Sequence, residues 1–466
     1  MTQVQLSPCR NYIGQIQPLE DSIELKIIQV PQNKLRRSFE VIDMIRSKFP
    51  TKDIPPALDI SFQWEYNQKG RECEKLGVLI RNMAALFVLD INRDEASSVL
   101  IRQPQSEVIE SFEWLPPIKE EKGTGYTNST QVVLFSESNL SAKLYSLDCT
   151  RKLCTVHKPI KDRIIYRKTS SGSFWCLIAD TFEYNVPPIM YQFLNTGSFS
   201  VLINSTRLRS FVSEEAHMDW SHSGNWLQLL DRNEDLSGYN LKVYGSNGVG
   251  GPHFAKPLVH IEFESEVEEN GSIMESAGRV HTCWCSSSEE ELLLSARVIG
   301  SYLELRVISM RLLKVVSRET KNLKEVAENI TRGVTRVSHL NQLVFVQLDR
   351  HMLCVYKLDD SLGYITSIQT QMPILDIFVD ESRWFIISEH QILLYENDVV
   401  KTLLSTDTVI YSASLLDKET IIVFNRGSNG ESWDYLSTKA SKANTSNQSM
   451  DEVTDTFAIR KRARFR

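Results

Sequence analysis

A short frame, a mostly apolar residue, any residue, then tryptophan, recurs along this chain and limits the folds open to it. It reads Phe62-Gln63-Trp64, Phe112-Glu113-Trp114, Met218-Asp219-Trp220 and Thr282-Cys283-Trp284, with steps of 50, 106 and 64 residues between tryptophans. Ile164-Ile165-Tyr166 sits midway through the double-length step, with Tyr166 in the tryptophan slot. Val4-Gln5-Leu6 fills the slot upstream, and Leu375-Asp376-Ile377 and Ile410-Tyr411-Ser412 read as worn copies downstream. A second frame follows each first one: Leu144-Tyr145-Ser146-Leu147-Asp148 and Val355-Tyr356-Lys357-Leu358-Asp359 are nearly the same word. Leu86–Asp90, Leu241–Tyr244 and Leu394-Tyr395 are looser versions. Between them lie apolar runs such as Gln131–Phe135, Leu343–Val346, Trp384–Ile387 and Ile421–Phe424. These runs are too short for helices and rich in β-branched and aromatic residues, which suit a pleated, half-buried surface. Each unit therefore reads as four strands in succession, the order of a propeller blade whose repeat is roughly 40 to 45 residues.

The expected fold class is all-β, a WD40-like β-propeller with about nine blade-like units. They centre near Leu6, Trp64, Trp114, Tyr166, Trp220, Trp284, Thr335, Leu375 and Tyr411. Single propellers usually carry about 4 to 8 blades, so a seven-bladed ring with a smaller second assembly is favoured slightly over one large ring. The propeller region is expected over residues 1–425. From 426 to 466 the chain turns polar and is expected to be largely disordered, ending in a basic cluster. At Lys34–Phe49, helical spacing of Leu35, Phe39, Ile42 and Ile45 competes with an outer strand. Glu319–Ile330 is expected to be a helix, with Leu323, Val326 and Ile330 on one face and Gly333 as a stop. Glu262–Glu275, with six glutamates, reads as a solvated loop.

Composition narrows the function classes. The formal charge of −7 disfavours a chain that wraps nucleic acid with its whole surface. The longest apolar stretch, Leu76–Ile91, is broken by Arg81 and Asn82, so no membrane-spanning helix is expected. Met1–Arg10 lacks an apolar signal core, and the eight cysteines read as reduced thiols.

Chemistry-bearing motifs are sparse. His281-Thr-Cys283-Trp-Cys285 would place three potential metal ligands on one strand face, but a zinc site wants a fourth ligand and wider spacing. These positions read as ordinary strand residues, and neither a metal nor a cofactor is expected. Asp231–Asp235 lacks the glycine and glutamate of a calcium loop and reads as a hairpin turn. Gly248–Pro252 lacks the following helix of a phosphate cradle. No catalytic motif is present, so the chain is not expected to be an enzyme. The framed tryptophans read as core. Trp433 is singled out, either docking the tail onto the ring or presenting an anchor to a partner. Arg460, Lys461, Arg462, Arg464 and Arg466 form a basic tail that reads as an import signal, an electrostatic contact or solubilising charge.

The stretch Thr206–Phe211, then His217-Met-Asp-Trp220-Ser221-His222-Ser223-Gly224-Asn-Trp226-Leu227, then Gly238–Gly248, resembles the centrosomal and spindle-pole WD-repeat family typified by WD-repeat protein eight. In that family a Trp-Ser-Pro-x-Gly turn leads into an apolar strand and then a Tyr-Lys-Val-x-Ile-Tyr strand; here His222 takes the proline slot. The opening Leu6–Ile13 and the segment Leu292–Val307 are similar to the family in kind. Trp-Asp strand ends and Gly-His turns are absent, which marks a diverged member. The resemblance implies a non-catalytic scaffold for protein–protein interactions at the spindle pole body, in the cytoplasm or cytoskeleton, that anchors microtubule minus ends. It implies as partners a coiled-coil anchoring protein and a minus-end-directed kinesin, with no membrane. The alternative is a nuclear propeller adaptor in an RNA- or telomere-associated complex, acting through the basic tail. A phosphoinositide-binding propeller fits poorly, because the sole adjacent arginine pair, Arg36-Arg37, precedes serine and lies early in the chain.

Overall fold

The computed structural model describes residues 3–19, 22–50, 54–65, 75–93, 99–102, 109–114, 131–136, 141–146, 152–157, 163–168, 173–179, 189–195, 200–207, 217–222, 225–232, 238–247, 251–252, 257–264, 279–286, 290–325, 333–359, 361–380, 382–427 and 430–438. The described residues form a succession of antiparallel sheets, most of them four-stranded, each built from strands consecutive in the chain. Their first strands are Gln3–Leu6, Ile60–Trp64, Ser111–Trp114, Arg163–Lys168, His217–Trp220, His281–Ser286, Val334–Leu340, Ile374–Asp380 and Val409–Asp417. Every unit centre expected from the sequence falls within one of them. The second-frame words fall in third strands, as in Ala85–Asp90, Ser141–Ser146, Gly238–Asn247, Met352–Leu358 and Gln391–Glu396. The chain is an all-β propeller: short meandering sheets, packed on one another through apolar cores wherever their side chains are described.

Side-chain packing between sheets accounts for the tryptophan frame. The Trp114 indole donates to the carbonyl of Gln63 at 3.2 Å, and the Trp64 indole to that of Gln5 at 3.2 Å. Trp284 donates to the carbonyl of Asp219 at 3.4 Å. In every case the acceptor immediately precedes the tryptophan slot of the preceding sheet, so the indole ties one first strand to its predecessor. The residue two before the tryptophan completes the lock. Phe112 lies over Gly77 in the second strand of the sheet before it, where a Cβ would come within 2.5 Å of the ring; Phe62 lies over Gly14 in the same way. Glycine is required there by close approach, not by turn geometry.

Apolar cores run from sheet to sheet. Leu79, Leu86 and Ile101 of the second sheet meet Phe112, Trp114 and Leu134 of the third. Leu241 and Phe263 of the fifth meet Trp284 and Leu293 of the sixth. Comparable clusters join the sixth sheet to the seventh, the seventh to the eighth and the eighth to the last. The last sheet packs against the first: Ile422, Phe424 and Trp433 bury against Ile13, Ile28 and Val30.

Two local expectations resolve differently. Lys34–Phe49 is both strand and helix in turn. Lys34–Glu40 pairs with Ile23–Gln29, and the helix Val41–Lys48 begins where the Glu40 carboxylate accepts from the Ile42 amide. Val41, Met44 and Ile45 then bury in the core shared by the first two sheets. The helix expected from Glu319 is corrected: Lys314–Asn322 is the fourth strand of the sixth sheet, paired along Tyr302–Ser309, and only Leu323–Glu325 turns as a 3-10 segment. The rest of that expected helix, 326–330, lies outside the described residues. Ordered strand also continues past residue 426, through Gly430–Ser437. Among the described residues, no helix is long and apolar enough to cross a membrane.

Candidate interaction face

In the first, sixth and eighth sheets the turn between third and fourth strands is described in full and forms an outer corner of the sheet. Such a tight turn places residues in the left-handed region, where asparagine, aspartate and glycine are tolerated best. The first sheet uses Asn33 there, φ 53°, and the eighth uses Asn397 and Asp398, φ 52° and 61°. The sixth sheet uses Leu313, φ 54°.

That turn is held from beneath. The Glu290 carboxylate accepts from the Ser309 hydroxyl and from the Arg311 amide at 3.1 Å. The Leu312 amide donates to the Ser309 oxygen at 3.0 Å. The outcome is a rigid corner whose apolar side chains face water: Leu312 is 51% exposed and Leu313 38%, and Val316 on the following outer strand is 44% exposed. Ile365 on the fourth strand of the next sheet, and Val399 and Val400 on that of the eighth, are exposed too. Leu35 on the first sheet's fourth strand and Val409 on the last sheet's first strand are exposed as well, and what sets the sixth sheet apart is that its exposed aliphatics adjoin in sequence at the turn.

Beside this corner the same sheet carries a compact ionic cluster. The Glu304 carboxylate is 2% exposed and is shared by three guanidinium groups. Arg297 lies at 2.7 Å, Arg306 at 3.1 Å and Arg318 at 2.5 Å. Arg297 also donates to the Glu264 carbonyl at 2.8 Å, reaching into the preceding sheet. Arg297 and Arg306 stack near the Phe263 ring, at 5.2 and 4.7 Å from its centroid. Burial alone would raise the Glu304 carboxyl, but the hydrogen bonds and charges of Arg297 and Arg306 outweigh it and hold the group below its usual range. Arg318, on the same outer strand as Val316, keeps 62% of its side chain exposed. The corner thus presents aliphatic groups with positive charge beside them.

The residues singled out from sequence are distributed differently. Trp433 lies in the third strand of the last sheet, only 5% exposed, and its indole donates to the Asn33 side chain of the first sheet at 3.3 Å. Tyr435 donates to the same Asn33 oxygen at 2.7 Å. Arg460, Lys461, Arg462, Arg464 and Arg466 lie outside the described residues. Cys283 and Cys285 point the same way, sulfurs 3.8 Å apart, into the core between the sixth and seventh sheets. The Cys285 hydrogen bond and burial raise the Cys283 thiol, so it stays protonated. Among the described residues, no three His, Cys, Asp or Glu side chains converge as a metal would require. The exposed corner at Leu312–Leu313 was not singled out from sequence. Its signal was there, since two leucines followed by Lys-Val-Val occupy a place where the other units carry polar turns.

No protein-family model matches the sequence. No curated protein matches it either. Among solved structures, the chain is similar to the eukaryotic initiation factor, with a TM-score of 0.49 at 8% identity, covering 86% of this chain and 88% of that one. It is similar to the Dos1 propeller, with a TM-score of 0.44 at 10% identity and coverages of 78% and 90%. BamB from Moraxella catarrhalis gives a TM-score of 0.41 at 9% identity, with coverages of 80% and 93%. The fold assignment rests on the sheets themselves, and no activity carries over from these neighbours.

Proposed function

We propose that this chain is a non-catalytic propeller scaffold, its nine sheets closed into one ring, that holds partner proteins at the spindle pole body or an equivalent microtubule-organising centre. One observation carries the scaffold reading: the sixth sheet's corner exposes Leu312 and Leu313 while bearing a backbone conformation leucine disfavours. The left-handed conformation costs a leucine roughly 1–2 kcal/mol, and leaving two leucines about half exposed forgoes about 1 kcal/mol each. A partner that covers the corner would offset both. Arg318 and the apolar side chains suit an amphipathic helix with acidic residues flanking an apolar stripe, which is the surface a coiled-coil protein presents. The spindle-pole assignment adds the resemblance around Trp220–Gly248 to that chemistry. A rigid ring supports the role, because its corners vary without disturbing the strands behind them.

The test is affinity purification of the tagged full chain beside a Leu312→Ser/Leu313→Asn variant. The wild type is expected to recover a coiled-coil component of the microtubule-organising centre, and the variant to lose at least nine-tenths of it while keeping its melting temperature. Recovery of no such component by the wild type would remove the cellular assignment, and equal recovery by both would remove the corner as the binding face.

A further inference from the structure

Where the first sheet meets the second, and the second the third, a phenylalanine closes over a glycine: Phe62 over Gly14, then Phe112 over Gly77. Each glycine is the cross-strand partner of the residue whose carbonyl takes the next sheet's indole, Gln5 facing Gly14 and Gln63 facing Gly77. The inner part of both seams is therefore carbon against carbon.

The seam between the fifth and sixth sheets keeps this register and changes its chemistry. The Trp284 indole donates to the Asp219 carbonyl, and the cross-strand partner of Asp219 is Gln228. Gln228 thus stands in the place of the glycine, and Thr282, two residues before Trp284, in the place of the phenylalanine. The strand period turns Gln228 the same way as Trp226 and Leu230, and Thr282 the same way as Trp284, toward the core these two sheets share. Ser295 is the cross-strand partner of Thr282 and lies two residues beyond Leu293 of that core, so its hydroxyl faces the same seam.

These side chains are buried with their polar atoms unanswered. Gln228 is 0% exposed and Ser295 1%. Both amide atoms of Gln228, the Thr282 Oγ1 and the Ser295 Oγ have no hydrogen-bond partner within the protein. A buried amide or hydroxyl is costly to leave in that condition. Together they offer the two donors and one acceptor of an amide and two hydroxyls that can do either. The set carries no charge, which argues against an ion. Arg306, the cross-strand partner of Ser295, is committed to the Glu304 carboxylate. Water, with two donors and two acceptors, matches such a set, and a buried water typically makes about three hydrogen bonds.

We infer that Gln228, Thr282 and Ser295 form a buried site that binds ordered water, bridging the second strand of the fifth sheet to the first two strands of the sixth. The inner part of this seam is then held by exchangeable hydrogen bonds, where the first two seams are held by a ring against a glycine. Its outer part is held directly, by Arg297 donating to the Glu264 carbonyl at 2.8 Å.

Magnetic relaxation dispersion of isotope-labelled water, with the full chain in solution, counts long-lived internal waters and tests this. Gln228→Leu/Thr282→Val, which keeps the side chains' shape, is expected to lose at least one such water relative to the wild type. Gln228→Gly/Thr282→Phe, which copies the first two seams, is expected to do the same. Gly363→Ala, set in open space, is expected to lose none. An equal count in the wild type and in whichever double variant folds overturns the inference, since Gln228, Thr282 and Ser295 would then bond to one another without water. A loss as large in Gly363→Ala also overturns it, because the change would not belong to this seam.

Discussion

At the scale of single residues, His281 couples the inner strands to pH. Burial pushes its imidazole down to about 4, and the nearby charges of Arg279 and His217 add to the shift. Its Nε2 is buried without a hydrogen-bond partner. The unfolded chain binds a proton at this residue near 6.5, so between 6.5 and 4 the unfolded state holds more protons than the folded one. Stability is therefore lost as pH falls through that window, by roughly 3 kcal/mol from this one group. Urea unfolding at pH 7, 5.5 and 4.5 should show the gap between wild type and His281→Gln shifting in the variant's favour as pH falls. A gap that stays constant would separate His281 from the acid sensitivity. Gly77 gives a second expectation at this scale. Gly77→Ala drives a methyl into the Phe112 ring and is expected to cost about 1–3 kcal/mol, whereas Gly363→Ala, with open space around it, is not. Thermal melts of the two variants settle it. The tryptophans were legible in the sequence because one indole does the same job in the second, third and sixth sheets: it fills a seam and ties a carbonyl. The glycines beneath the phenylalanines were not, since their partners lie on another sheet.

Elements show where local reading stops. The run from Glu319 has helix-forming residues and a helical apolar spacing, yet its first residues extend the outer strand because Tyr302–Ser309 offers a full ladder of backbone partners. Pairing across a sheet outweighs intrinsic propensity, which amounts to a few tenths of a kcal/mol per residue. The sixth sheet's corner was illegible for a related reason. Leu312, Leu313, Val315 and Val316 look like a buried strand on composition alone, but the first two lie in a turn and the last two at the exposed start of an outer strand. The strain at that turn yields an expectation distinct from binding. Leu313→Asn relieves a left-handed leucine and removes an exposed apolar group, so the isolated protein should gain about 0.5–1 kcal/mol. Chemical denaturation would measure it. A loss of stability would mean that Leu313 packs within the ring, and the functional argument for the corner would lose its premise.

On the scale of the whole molecule, sheets consecutive in the chain share apolar cores wherever their side chains are described, and the last sheet shares one with the first. The last sheet meets the first: Trp433 and Tyr435 both donate to Asn33, the Val4 amide donates to Glu431 at 3.0 Å, and Arg10 donates to the Leu415 carbonyl at 2.7 Å. These contacts join residues some 400 positions apart, a separation that local pattern cannot register. They also make the seam a test of closure. Trp433→Ala removes the largest side chain of the core between Ile13, Ile28, Ile422 and Phe424 and is expected to cost about 3–5 kcal/mol. In a single ring that loss is felt on both sides of the seam. Hydrogen exchange should therefore rise in Tyr12–Pro18 and Ile23–Gln29 as well as in Thr420–Gly427, while Trp226–Arg232 of the fifth sheet, most distant from the seam in the order of sheets, changes least. Faster exchange confined to the last sheet, with the first sheet untouched, would show two assemblies that merely adjoin. The same variant separates ring closure from partner binding, since the sixth sheet's corner lies well away from Trp433 in the order of sheets. A chain that keeps its partner while its seam frays would show that the corner works without closure, and joint loss would show that a closed ring is what holds the corner in place.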